Sequence, residues 1–224
     1  MQKFIRQLLC GTAVAAAAML PQAHATVIDF EDPSLAGGLY FSGDSFEQSG
    51  YVMTVHDEFG TVDKAGSLSP AVAPTGNSTN FFFGSNDAFL SLTLKGGGAF
   101  NLDGFSAAFV PLDPPVLTQQ TAIIASATND KGTFVYVYAG FPVGTTSPFA
   151  TFSDPKDFSQ FSGVTEVQFF ACSLTTTLCG DVTNNNGQFA LDDIHVSAVP
   201  EPSTTVLFAA GLIGLALRGR RALR

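Results

Sequence analysis

Between Thr26 and Ala198 the apolar residues fall in short runs, mostly alternating with polar ones and broken by Gly, Asn, Asp and Pro. A period of two marks half-buried strands, and no stretch keeps a capped helical period. The pattern predicts strands over Thr26–Glu31, Tyr51–His56, Phe81–Phe83, Phe89–Leu94, Phe100–Val110, Thr121–Thr128, Thr133–Ala139, Phe158–Phe161, Val164–Ala171 and Gln188–Ser197. Residues 60–79, rich in Gly, Ser, Pro, Ala and Asn, read as an irregular surface loop. Lys95-Gly96-Gly97-Gly98 is expected to close one hairpin and Asn129-Asp130-Lys131-Gly132 a second. Pro111–Pro115 interrupts pairing, because proline donates nothing to a ladder. Roughly ten strands at this spacing predict an all-β fold, an antiparallel β-sandwich of jelly-roll type.

Three details sharpen that expectation. Phe134, Tyr136 and Tyr138 share one face of their run and Val135 and Val137 the other. With both faces apolar the run reads as a central strand with its tyrosines buried, leaving Tyr40 and Tyr51 to face outward. The triplet Phe81-Phe82-Phe83 cannot put every ring on one face, so one is expected at a sheet edge or in solvent. In the closing run, Phe189 and Leu191 have one parity and Ile194 and Val196 the other. A regular strand would send one pair to the wrong face, so a β-bulge is expected at Asp192-Asp193.

The ends of the chain carry a different pattern. Lys3 and Arg6 precede an apolar stretch, Leu8 to Leu20, and an Ala23-His24-Ala25 cleavage site, which together read as a secretory signal peptide over residues 1–25. At the other end Pro200-Glu201-Pro202 leads into an apolar run of twelve residues, Val206 to Leu217, followed by Arg218, Arg220, Arg221 and Arg224. Counted from Pro202 a helix here rises roughly 24 Å, short of the ~30 Å hydrocarbon core. The basic end is expected in the cytoplasm. The three ordered elements resemble the PEP-CTERM sorting signal of Gram-negative bacteria. That resemblance covers residues 200–224 and implies a short transmembrane helix that holds the chain in the inner membrane until exosortase processes it, in bacteria that make exopolysaccharide. Residues 26–199 then form one extracytoplasmic domain.

Composition narrows what that domain does. It keeps four lysines and no arginine against eighteen acids, a formal charge of −14. Such a surface repels nucleic acid and anionic lipid. Cys10 leaves with the signal, so Cys172 and Cys179 remain, and in an oxidising compartment a close pair reads as a disulfide. His56 and His195 are the only imidazoles left, in no nucleophile or metal motif, and the domain is read as non-enzymatic. Phe189-Ala-Leu-Asp-Asp-Ile-His-Val196 resembles the terminal strand of galactose-binding-like and carbohydrate-binding jelly rolls. In several such families acids of the first and last strands hold a structural calcium, which here implicates Glu31, Asp32, Asp192 and Asp193 as oxygen ligands. The stretch Asp181–Gly187 fits no calcium loop and reads as an Asn/Gly turn. The expected role is a structural or interaction protein of the envelope or of an exopolysaccharide biofilm matrix. The alternatives are a carbohydrate-binding module and, behind it, an envelope glycoside hydrolase.

Overall fold

The computed structural model describes residues 25–64, 74–110, 121–141, 148–175, 178–179 and 187–199, with 173–175 and 178–179 described by their backbone. Ala25–Ala198 forms one compact unit. Its strands are β1 (Ala25–Ile28), β2 (Gly38–Phe41), β3 (Ser45–Gln48), β4 (Tyr51–His56), β5 (Phe59–Lys64), β6 (Asn80–Ser85) and β7 (Phe89–Leu94). They continue as β8 (Phe100–Phe109), β9 (Thr121–Thr128), β10 (Phe134–Phe141), β11 (Ala150–Phe152), β12 (Glu166–Thr175), β13 (Leu178–Cys179) and β14 (Phe189–Ala198).

The named strands pair antiparallel in two sheets. The first runs β11-β8-β14-β6-β5-β2, with β1 also on β14. The second runs β10-β9-β12-β7-β4-β3, with β13 on β12. The alternation read from the sequence points Phe82, Phe100, Phe105 and Phe189 of the first sheet at Met53, Leu90, Leu92 and Phe169 of the second, all fully buried. Phe105 joins the layers, meeting Phe169 edge-on at 5.4 Å and 80°. Each such ring contributes about 1.5–3 kcal/mol of transfer free energy, and edge-on pairing adds about 0.5–1.5 kcal/mol.

The bulge expected in β14 is present. Register slips between Asp192 and His195, and Asp193 takes φ +45°. Phe189 and Leu191 before the slip, and Ile194 and Val196 after it, all enter the same core.

Four expectations need correction. The glycines after Lys95 do not close a hairpin: β7 and β8 lie in different sheets, and Gly96, Gly97 and Gly98, at φ +82°, +84° and +114°, let the chain climb between layers. Phe158–Phe161 is helical rather than extended, a short helix α1 (Pro155–Phe158) followed by a 3-10 turn. Asp154 caps α1 by accepting from the Lys156 N–H at 2.9 Å, and proline sits at its first position, so start signals outweigh two phenylalanines. The expected loop 60–79 contains most of β5. All three rings of 81–83 are buried, because Phe81 and Phe83 enter a separate cluster with Ala108, Val110 and Ala190, capped by Phe149.

Candidate functional site

Two places gather the chemistry. The first lies where β1 and β14 run side by side, Ile28 opposite Ile194. Asp192, just before the slip, has the parity of Ala190, away from the main core, yet is only 2% exposed. Its Oδ2 accepts from Asn77 Nδ2 at 2.6 Å and Thr79 Oγ1 at 3.1 Å, and its Oδ1 from the Asp193 N–H at 2.8 Å. Burial outweighs these donors and pushes its pKa up to about 7. Glu31 accepts from the Asn80 N–H, so residues 77–80 tie the two acids together.

The other two acids of the expected calcium set stand apart. Asp32 is exposed and caps its own turn by accepting from the Ser34 N–H at 2.9 Å and the Ser34 hydroxyl at 2.7 Å, which holds its carboxyl below the usual range. Asp193 is exposed on the bulge. Among the described residues no group of three or more His, Cys, Asp or Glu gathers closely enough to hold an ion. The four-acid cluster is therefore not assembled. What the fold does link there is Glu31 and Asp192, through residues 77–80; Asn80 is itself buried with its Oδ1 unpartnered. Carboxylate oxygens of this kind suit calcium and not a soft metal.

The second place is the outward face of the second sheet. Phe134, Tyr136 and Tyr138 were expected inside; instead β10 is an edge strand and they are 65%, 52% and 47% exposed. Val135 and Ala139, on the opposite face, supply the core side. Conversely Tyr51, expected outside, is buried against Phe100. The Tyr136 and Tyr138 rings lie 5.8 Å apart and within 14° of parallel, and Phe134 continues the strip at 6.1 Å.

Strand register extends this strip across the sheet. Tyr136 stands opposite Ser126, Ser126 opposite Gln168, then Ser91, Thr54 and Ser45 follow in one row. The adjoining row is Tyr138, Ile124, Phe170, Phe89 and His56. His56 stacks on Phe89 at 4.3 Å and 7°, with its Nε2 2.9 Å from Ser91 Oγ. A cleft of about 200 Å³ opens beside the aromatic strip, lined among others by Ser126, Phe134, Glu166 and Gln168. Gln168 donates to Glu166 at 2.9 Å, which fixes its amide at the floor of the face. The sequence reading missed this face because alternation shows which residues share a side and not which strand ends a sheet. The available signal was the choice of Tyr, whose hydroxyl tip favours a half-wet position.

Cys172, Ala122 and Ile124 lie on this same face and are buried there, with Phe170 packed against them. The β12–β13 register sets Cys179 opposite Leu174, two residues along from Cys172, while the Cys179 side chain lies outside the described residues.

These features define an all-β sandwich with an exposed aromatic strip along the edge strand of one sheet. The particular address comes from the tail: residues 198–221 match the PEP-CTERM protein-sorting motif. That motif marks export and membrane-associated sorting to the cell surface and implies processing by an exosortase. Pro200, Glu201, Pro202, Arg218, Arg220 and Arg221 fall within it; these residues, Ala23 and the turn at 181–186 lie outside the described residues. No helix among the described residues is long and apolar enough to cross a membrane.

In chain path the protein is similar to a DUF4465 family protein from Bacteroides caccae, at 12% identity over 80% of this chain and 94% of that one, TM-score 0.45. It is also similar to the CBM22-2 xylan-binding domain of Paenibacillus barcinonensis Xyn10C, at 13% identity over 78% and 99%, TM-score 0.36. No curated protein matches the chain. The two-sheet architecture rests on the strand pairing itself.

Proposed function

We propose that the protein is a secreted, exosortase-sorted binding protein of the cell surface, non-enzymatic, acting on carbohydrate in the exopolysaccharide or biofilm matrix around the cell. The observation that carries the carbohydrate reading is the exposed strip Phe134, Tyr136 and Tyr138 beside a polar cleft. Open clefts with aromatic walls and a few fixed polar groups are the usual form of a small-molecule or sugar site. A purely structural role predicts a closed face, so the strip favours the binder. The signal peptide is cut after Ala25, and the C-terminal segment anchors the chain in the inner membrane until processing. A polysaccharide array probed with the released protein tests this reading; retention of no glycan would sink it.

Two stabilising elements complete the proposal. Cys172 and Cys179 form a disulfide across the β12–β13 hairpin, contributing on the order of 2–3 kcal/mol by constraining the unfolded chain. Non-reducing peptide mapping checks it, and recovery of both as free thiols would discard it. Calcium binds at Glu31 and Asp192, supplying charge compensation for the buried Asp192 carboxylate. Excess calcium then raises the melting temperature above that in chelator, because a ligand of the native state stabilises it. Replacing Pro200-Glu201-Pro202 by alanines is expected to block processing; unchanged release would reduce the tail to an ordinary anchor.

A further inference from the structure

The outward face of the second sheet has a direction as well as a composition. Its polar row crosses six strands from Tyr136 to Ser45, which at ~4.8 Å per step is roughly 24 Å, long enough for several sugar units. Resting on the binding reading above, we infer that this face takes an uncharged polysaccharide chain laid across the strands, stacked on Tyr136 and Tyr138 and hydrogen-bonded by Gln168.

Three observations select that occupant. The two tyrosines, half exposed and nearly parallel, give a continuous aromatic surface for the C–H faces of sugar rings. Beyond them the half-buried Gln168 amide and Thr54 hydroxyl and the exposed Ser45 hydroxyl can meet a ligand dense in hydroxyl groups, while Ser126 and Ser91 of the same row are buried. Charge excludes an acidic chain. The domain has no arginine, Glu166 stands beside Gln168, and Lys95, near the far end, is already paired with Glu47. A protein partner fits less well, since interface cores draw on arginine and bury larger apolar areas than two tyrosines offer.

The test is affinity electrophoresis and calorimetry of the mature protein with three neutral glycans, a β-glucan, a xylan and a mannan, and with anionic alginate. Tyr136→Ala is expected to weaken binding of the preferred neutral glycan at least tenfold, and Gln168→Ala several-fold. Phe41→Ala, which removes an exposed ring on the edge of the first sheet, is expected to leave it unchanged. Neutral-glycan binding that survives both Tyr136→Ala and Gln168→Ala would overturn the site while leaving the carbohydrate reading intact. Preference for alginate would overturn the charge argument. Binding to none of the four, or only to a peptide strand added along β10, would overturn this inference and the binding reading together.

Discussion

Both sheets of this sandwich carry outward-facing rings: the first covers those at its centre and exposes Phe41 on its edge strand, while the second exposes a strip of three. On the first sheet Phe81 and Phe83 point away from the main core, yet Phe149 packs on them and both are at most 5% exposed. On the second, Phe134, Tyr136 and Tyr138 stand in solvent at 47% or more. Apolar surface is removed from water where it serves stability, so rings left out on a rigid edge strand mark a surface kept for something else. The choice of residue agrees. The rings of the covered cluster are phenylalanines, whereas two of the three exposed ones are tyrosines, whose hydroxyls tolerate water.

Mutation can break that comparison. Phe81→Ala on the covered face is expected to cost about 3–5 kcal/mol, read from urea unfolding, because it opens a cavity in a packed cluster. Tyr136→Ala should cost under about 0.5 kcal/mol while abolishing most glycan binding. Equal losses of stability would erase the distinction between the two faces.

Next in size is a pH effect at the rim of the first sheet. In chelator, the Asp192 carboxyl titrates near 7 folded and near the ordinary 3.8 unfolded. Its folded pKa is raised, so its contribution to stability is complete below about 3.8, falls as pH rises, and is gone above about 7. Chemical denaturation of Asp192→Asn between pH 4 and 8 should give a flatter profile than the parent; parallel profiles would refute the assignment. The smallest effect is expected from Lys95→Ala. Its ion pair with Glu47 is exposed on both sides, so the change should be within about 0.5 kcal/mol and vanish in high salt.

What could be read in the sequence was local. β7 and β9 coincide with their predicted spans because alternation and flanking turn residues are properties of the segment alone. The bulge was legible from the parity of Leu191 and Ile194, since a sheet with one buried face tolerates no slip. What escaped depends on neighbours distant in sequence. Nothing within Phe134–Tyr138 says that β10 has a partner on one side only, so its tyrosines were placed inside. Likewise, of the four acids expected to gather, residues 77–80 link Glu31 and Asp192, while Asp32 turns back to its own Ser34, a three-residue Asx turn that competes with any distant ligand. The polar row through Gln168 needed six strands in order before it existed at all.

The pairing of β14 also has a mechanical side. Ala25 stands opposite Ser197, so the first and last residues of the sandwich lie one strand apart. Tension applied through Val199 pulls lengthwise on a strand held by eight register pairs to β8 on one flank and by β6 and β1 in turn on the other. Such a strand must be sheared out with many ladder bonds failing together, not peeled one bond at a time. Force reaching the domain through Val199 would therefore load this ladder in shear.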